Sequence, residues 1–281
     1  RSDLLRLFTA MAVLLIADFQ TRTFINFTYF ATFFIAIVSA LALADMRSEV
    51  PRWAWSIPVL MISKPAVLSA LPAMILAALV SRNRFRLITL AATLTGVAQV
   101  VQMMIIYPNS FFIWNKYSTT QKVVASIEYF FGFLGSFFLG RGIDREWLDP
   151  VMSIGVGIGL LCACFVTVIK KRNSACALIL IGLVLVYFNL LLNSFALSAK
   201  WNVDNMKLIV EEPLWRYNIG VYFGVVLVVV GWIAAVAEAP VSSRPWQKAI
   251  APALFLSWFL VSGWCAASRA LNSTPDFPVL N

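Results

Sequence analysis

The stretch SIPVLMISKPAVLSALP, Ser56 to Pro72, decides how this chain is read. Pro58, Pro65 and Pro72 stand seven residues apart in it, and Lys64 sits beside the middle one in otherwise apolar surroundings. The apolar run extends from Trp55 to Val80, and a bilayer core needs about 20 such residues per spanning helix. Pro65 has no N–H to give a helix, and its ring pushes residue 64 out of helical geometry. The stretch therefore predicts a membrane helix broken at Ser63-Lys64-Pro65, with freed carbonyls near an ammonium group. Such breaks are tolerated where the backbone is buried in protein or lines a watery cavity. Lys64 is expected at a polar cavity.

The composition carries the same reading across the whole chain. Of 281 residues, 61% are hydrophobic and 12% charged, with a mean hydropathy of +0.84. A soluble domain holds about 25% charged residues, and here the charges gather between long apolar runs. The expected fold is all-α: one integral membrane domain over residues 1–281, a transmembrane helical bundle. The net charge of +9 lies mostly in short loops, as topogenic charge beside an anionic membrane face does, and it points to membrane lipids rather than nucleic acid. There is no histidine, which removes the usual proton shuttle. Cys162, Cys164, Cys176 and Cys265 all fall in apolar runs, as small hydrophobes rather than a disulfide or zinc framework. No P-loop, dinucleotide fingerprint, nucleophile elbow or metal-ligand cluster is present, so no cofactor or metal is expected. The chain opens Arg1-Ser2-Asp3 without methionine, which predicts a fragment lacking an N-terminal part.

Long apolar runs predict segments over 4–17, 25–44, 55–80, 87–106, 123–140, 151–169, 175–199, 219–237 and 249–267. Three basic clusters separate them: Arg82, Arg84 and Arg86; Lys170, Lys171 and Arg172; Arg244 and Lys248. Positive-inside logic puts all three in the cytoplasm. An even number of crossings must then separate the first two clusters, yet three segments lie between them. The segment 123–140, with Glu128 and glycines at 132, 135 and 140, is expected to be re-entrant or interfacial. This leaves about eight spans, with segment 55–80 entering from outside.

Lys64 and Glu128 are the ionisable residues read as lying well inside apolar runs, where a charge costs about 2.5–3.5 kcal/mol on insertion scales. Lys64 either binds an anion, such as the phosphate of a lipid-linked donor, or pairs with Glu128 or caps carbonyls at the break. Gln99 and Gln102 share a helix face and read as glue between helices, and Gly155-x-x-x-Gly159 reads as a packing motif. Asn272-Ser273-Thr274 is a weak glycosylation sequon.

From Phe27 to Gln102 a span ends near Asp45, a short loop carries Arg47 and Arg52, and the proline-broken span follows. An arginine cluster and a span with glutamines come next, and much later Glu211-Glu-Pro-Leu-Trp-Arg-Tyr217 stands at the mouth of a late span. This layout resembles the C-terminal half of bacterial multi-span glycosyltransferases of the GT-C type. The resemblance implies sugar transfer from a polyprenyl-phosphate donor on the outer face of the bacterial cytoplasmic (inner) membrane. It also implies that Arg216 and Tyr217 lie near the donor, with Lys64 and Glu128 as further substrate contacts. The family's acidic residue usually lies in a first large outer loop, which has no counterpart here. Asp18 and Asp45 match no motif, and the catalytic residue is left unassigned. Two other readings stay open: a transporter or flippase of a lipid-linked or anionic solute, with Lys64 and Glu128 as its relay pair, and a non-catalytic membrane subunit.

Overall fold

The computed structural model describes residues 3–15, 28–45, 50–81, 84–106, 118–139, 150–171, 173–196, 215–237 and 245–263. Every element among them is helical. Helix α1 covers Asp3–Leu15 and α2 Thr28–Ala44. The segment 52–80 is a chain of short pieces: a 3-10 turn Arg52–Ser56, α3 (Ile57–Ser63), a 3-10 stretch Pro65–Ala70 and α4 (Leu71–Val80). Then come α5 (Phe85–Ile106), α6 (Thr119–Leu139), α7 (Pro150–Lys171), α8 (Ala175–Ala196) and α9 (Trp215–Val236). Helix α10 (Pro245–Trp258) ends in a π turn, Phe259–Gly263. Helices α5 to α9 are long and apolar enough to cross a membrane, and α2, the 65–80 stretch and the α10 region are shorter apolar helices. The protein is an all-helical membrane protein.

Close packing, rather than hydrophobic drive, holds helices together in lipid, so small residues mark the contacts. The most extensive pair is α8 with α9. A Cβ added to Gly182 would lie 2.6 Å from the Gly224 carbonyl, and one on Gly231 would lie 2.9 Å from that of Ala175. Gly220 rests on the Asn189 side chain. These pairings run α9 antiparallel to α8 and bury α9 along most of its length. Helices α6 and α7 pair the same way, Gly135 against the Ser153 carbonyl and Gly157 against that of Phe131. Gly155 and Gly159, the pair singled out by the GxxxG pattern, face open space. The residue between them makes the contact instead.

The interrupted segment runs antiparallel to α5. Arg86 Nε donates to the Ala78 carbonyl at 3.0 Å, Gly96 sits against Leu68 and Leu71, and Gln99 Nε2 donates to the Ile62 carbonyl at 3.3 Å. One cavity is lined by Arg6, Asp45, Pro51 and Ser174, which places the start of this segment at the end of the bundle where α7 hands over to α8. Ser69 then meets Asn189, about 21 Å up α8 from Ala175 at 1.5 Å per residue. Arg84 and Arg86 follow at the far end.

Two expectations are corrected by this path. For the segment 123–140 the sequence predicts a re-entrant or interfacial path, but residues 123–139 of it lie in one continuous 21-residue helix, long and apolar enough to cross a membrane and packed along α7 and α8. Gly132 and Gly135 do not break it: both are buried, and Gly135 serves the close approach to α7. The clusters at Arg84–Arg86 and Lys170–Lys171 therefore stand at opposite ends, with three helices between them. The parity rule fails because it treats both as lying on one side. In consequence Lys64 is approached from the Lys170 end, and not from the end assigned to the exterior.

Candidate functional site

At the break, α3 stops at Ser63, and Lys64 is extended, with φ −161° and ψ 140°. Each of the three evenly spaced prolines falls at the first or second position of a new helical piece, where a missing N–H costs no hydrogen bond. The freed carbonyls find partners one by one. Ser63 Oγ donates to the Leu60 carbonyl at 2.6 Å, and the Val67 N–H donates to that of Lys64 at 3.0 Å. Gln99 Nε2 meets the Ile62 carbonyl from the neighbouring helix. Gln99 is the glue expected of it, whereas Gln102, three residues on, is exposed.

Deeper in the bundle the 3-10 stretch is tied to α8 by a chain of neutral groups. Asn193 Nδ2 donates to Asn189 Oδ1 at 3.1 Å, Asn189 Nδ2 to Ser69 Oγ at 3.3 Å, and Ser69 Oγ to the Ala66 carbonyl at 2.7 Å. All three side chains are buried. A cavity of about 230 Å³ lies beside this chain, between Leu68 and Pro72 on one side and Phe188 and Leu192 on the other. Polar groups thus stand at two places: Lys64 and Gln99 at the break, and the buried Ser69–Asn189–Asn193 chain between the 3-10 stretch and α8.

Lys64 is half-buried, and its neighbour Gln99 lies about 10 Å from the Ile106 end of α5. Glu128 is exposed on α6. Phe130 meets Tyr187 of α8, ring centroids 6.0 Å apart, so Glu128, two residues earlier, points about 200° away from α8. On α8 itself, Tyr187 faces α6 while Asn189 faces the 3-10 stretch. Helix α8 thus stands between the two, and of the alternatives for Lys64 the pair with Glu128 is not assembled. Arg216 and Tyr217 lie in the first turn of α9, at the end opposite Lys170; their side chains lie outside the described residues, as do Asp18, Glu211, Glu212, Cys265 and the Asn272 sequon.

Sequence reasoning misses Lys122, which is 6% exposed on α6. It stands just before the apolar run and so reads as loop charge. Asn189 and Asn193 are missed as well, although four-residue spacing on an apolar helix puts them on one face. Among the described residues no group of three or more Cys, Asp or Glu is placed to hold a metal ion. Compared with protein-family profiles, with curated proteins and with solved structures, the chain matches none.

Proposed function

We propose that this chain is the membrane domain of a glycosyltransferase-like protein that takes a sugar from a polyprenyl-phosphate donor on the outer face of a bacterial inner membrane. The observation that carries the reading is the position of Arg216 and Tyr217, which open α9 at the end away from Lys170. Among described cations, Arg6, Arg52, Lys170 and Lys171 gather at one end and Arg84 and Arg86 at the other. The positive-inside rule makes the richer end cytoplasmic, so α9 begins on the outer side. The first turn of a helix offers unpaired N–H groups and the positive end of its dipole to an anion. Arginine's planar fork suits phosphate there. Inverting transfer needs a carboxylate to take the acceptor proton and cationic help for the departing lipid phosphate; Arg216 serves the second role. Counting α2, the α3–α4 segment and α5 to α10 as crossings gives about eight spans. Sugar transfer by membranes carrying the full chain tests this: Arg216→Ala lowers transfer about a hundredfold, while Arg216→Lys keeps part of it. Transfer untouched by Arg216→Ala ends the reading.

A second reading, movement of a lipid-linked or anionic solute, draws on the buried chain of Ser69, Asn189 and Asn193. A headgroup could pass along these amides while its lipid tail stays in the bilayer. A Lys64–Glu128 relay has no part in it, since Glu128 faces away. Proteoliposome flux that persists after Arg216→Ala but falls with Asn189→Leu supports this reading over the first.

A further inference from the structure

Helix α5 stands at the side of the bundle. It packs chiefly against the interrupted segment 52–80, and Leu90, Leu94 and Val97 are exposed along it, as side chains that meet lipid are. Its two glutamines part company. Gln99 is 6% exposed and turns inward to Ile62, whereas Gln102 is exposed. Gln102 lies one turn inside the Ile106 end, about 6 Å along the helix axis. An amide turned toward lipid loses its hydrogen bonds to water, a cost that only another polar group offsets. The residues in line with it are regularly placed: Ala91, Thr95, Ala98, Gln102 and Ile105 follow at alternating intervals of four and three. That is the spacing by which one helix lies along another. Ala98, Gln102 and Ile105 are exposed, and a small residue such as Ala98 lets two backbones approach closely in a membrane.

We propose that this face of α5 docks on α5 of a second copy of the chain, with the two Gln102 amides hydrogen-bonded to each other. Copies inserted the same way in one membrane are related by a two-fold axis along its normal. Their α5 helices then run parallel, and each residue of the seam meets its own counterpart at the same depth. Glutamine suits that position because one side chain carries both a donor NH2 and an acceptor oxygen. Two identical amides therefore satisfy each other, where two lysines or two carboxylates would repel. A lipid tail offers Gln102 no such partner. A polar residue at a single seam position also fixes the register of the pair. The interface involves neither α9 nor Arg216 and does not depend on the proposed transfer or translocation.

The test uses the full chain in membranes. In a background without Cys162, Cys164, Cys176 and Cys265, oxidation by copper phenanthroline in air should link Ala98→Cys into a disulfide dimer, since counterparts across the seam come within bonding reach. Val97→Cys, at the same depth but about 100° around the helix, should stay monomeric. The strength is read by energy transfer between copies labelled in two colours, followed against the protein-to-lipid ratio in vesicles. Gln102→Leu, on an exposed residue, should need about ten times the protein density for half-association, the scale of a hydrogen bond between membrane helices. No Ala98→Cys dimer, or equal yields from Ala98→Cys and Val97→Cys, overturns the pairing. Energy transfer at background at every density, as when lipid or a different protein covers this face, overturns it too. Association unchanged by Gln102→Leu overturns the assignment to Gln102.

Discussion

Gln99 on α5 donates through Nε2 to the carbonyl of Ile62, 3.3 Å away on α3. That carbonyl is free to accept because Lys64 and Pro65 end the helix two residues later. One amide thus repairs a backbone break that the sequence builds deliberately, with prolines only where a new helical piece begins. Gln99→Leu leaves Ile62 unpaired and is expected to cost about 0.6 kcal/mol and at most about 1.7 kcal/mol, the average and the maximum measured for hydrogen bonds between membrane helices. Reversible unfolding in mixed micelles reads the change, and an unchanged midpoint would remove Gln99 from the account.

The glycine contacts give a paired prediction. Gly224→Leu forces a branched side chain toward the Gly182 carbonyl, where even the Cβ would lie 2.8 Å away, and overpacking of this kind costs about 1–3 kcal/mol. Gly159→Ala meets nothing within 4 Å and gains helix propensity of about 1 kcal/mol. The two substitutions should move thermal stability in opposite directions.

Much of this fold is legible in the apolar runs. Expected segments such as 87–106 and 151–169 differ from α5 and α7 by no more than two residues at either end, and the break at Lys64 follows from Pro65 alone. Packing register is not legible. A GxxxG pattern says that a close approach is possible but not which face has a neighbour, so it points to Gly155 and Gly159 instead of Gly157. Charge at a helix start is equally mute: Lys122 looks like loop charge because nothing in one sequence shows that its side of α6 is covered. The side of the membrane from which Lys64 is reached is misread for a further reason. Counting crossings assumes a common side for two basic clusters that the bundle separates.

Lys64→Met tests whether the ammonium serves a ligand or the break. Neutral groups already meet the Leu60 and Ile62 carbonyls, so those bonds survive the loss of the ammonium, and stability should fall by no more than about 1 kcal/mol, the usual effect of a single substitution. Function, read as sugar transfer or as flux, should fall about tenfold. The reverse outcome, lost stability with full function, would make Lys64 structural.

Glu128 and Lys64 should be energetically independent. With α8 between them, a double-mutant cycle combining Lys64→Met and Glu128→Gln is expected to give coupling within about 0.3–0.5 kcal/mol of zero. A stronger coupling would bring back the pair that the geometry separates.

The central claim is that α6 crosses the membrane and sets Arg84 and Ser174 on opposite sides. It is tested most directly by labelling single cysteines, Arg84→Cys and Ser174→Cys, in a background without Cys162, Cys164, Cys176 and Cys265, using a membrane-impermeant maleimide on intact cells and on inverted vesicles. The account predicts that Arg84→Cys reacts in intact cells and Ser174→Cys only in inverted vesicles. Reaction of both from the same side would contradict it, and would return α6 to a non-spanning segment and Lys64 to the other half of the bilayer.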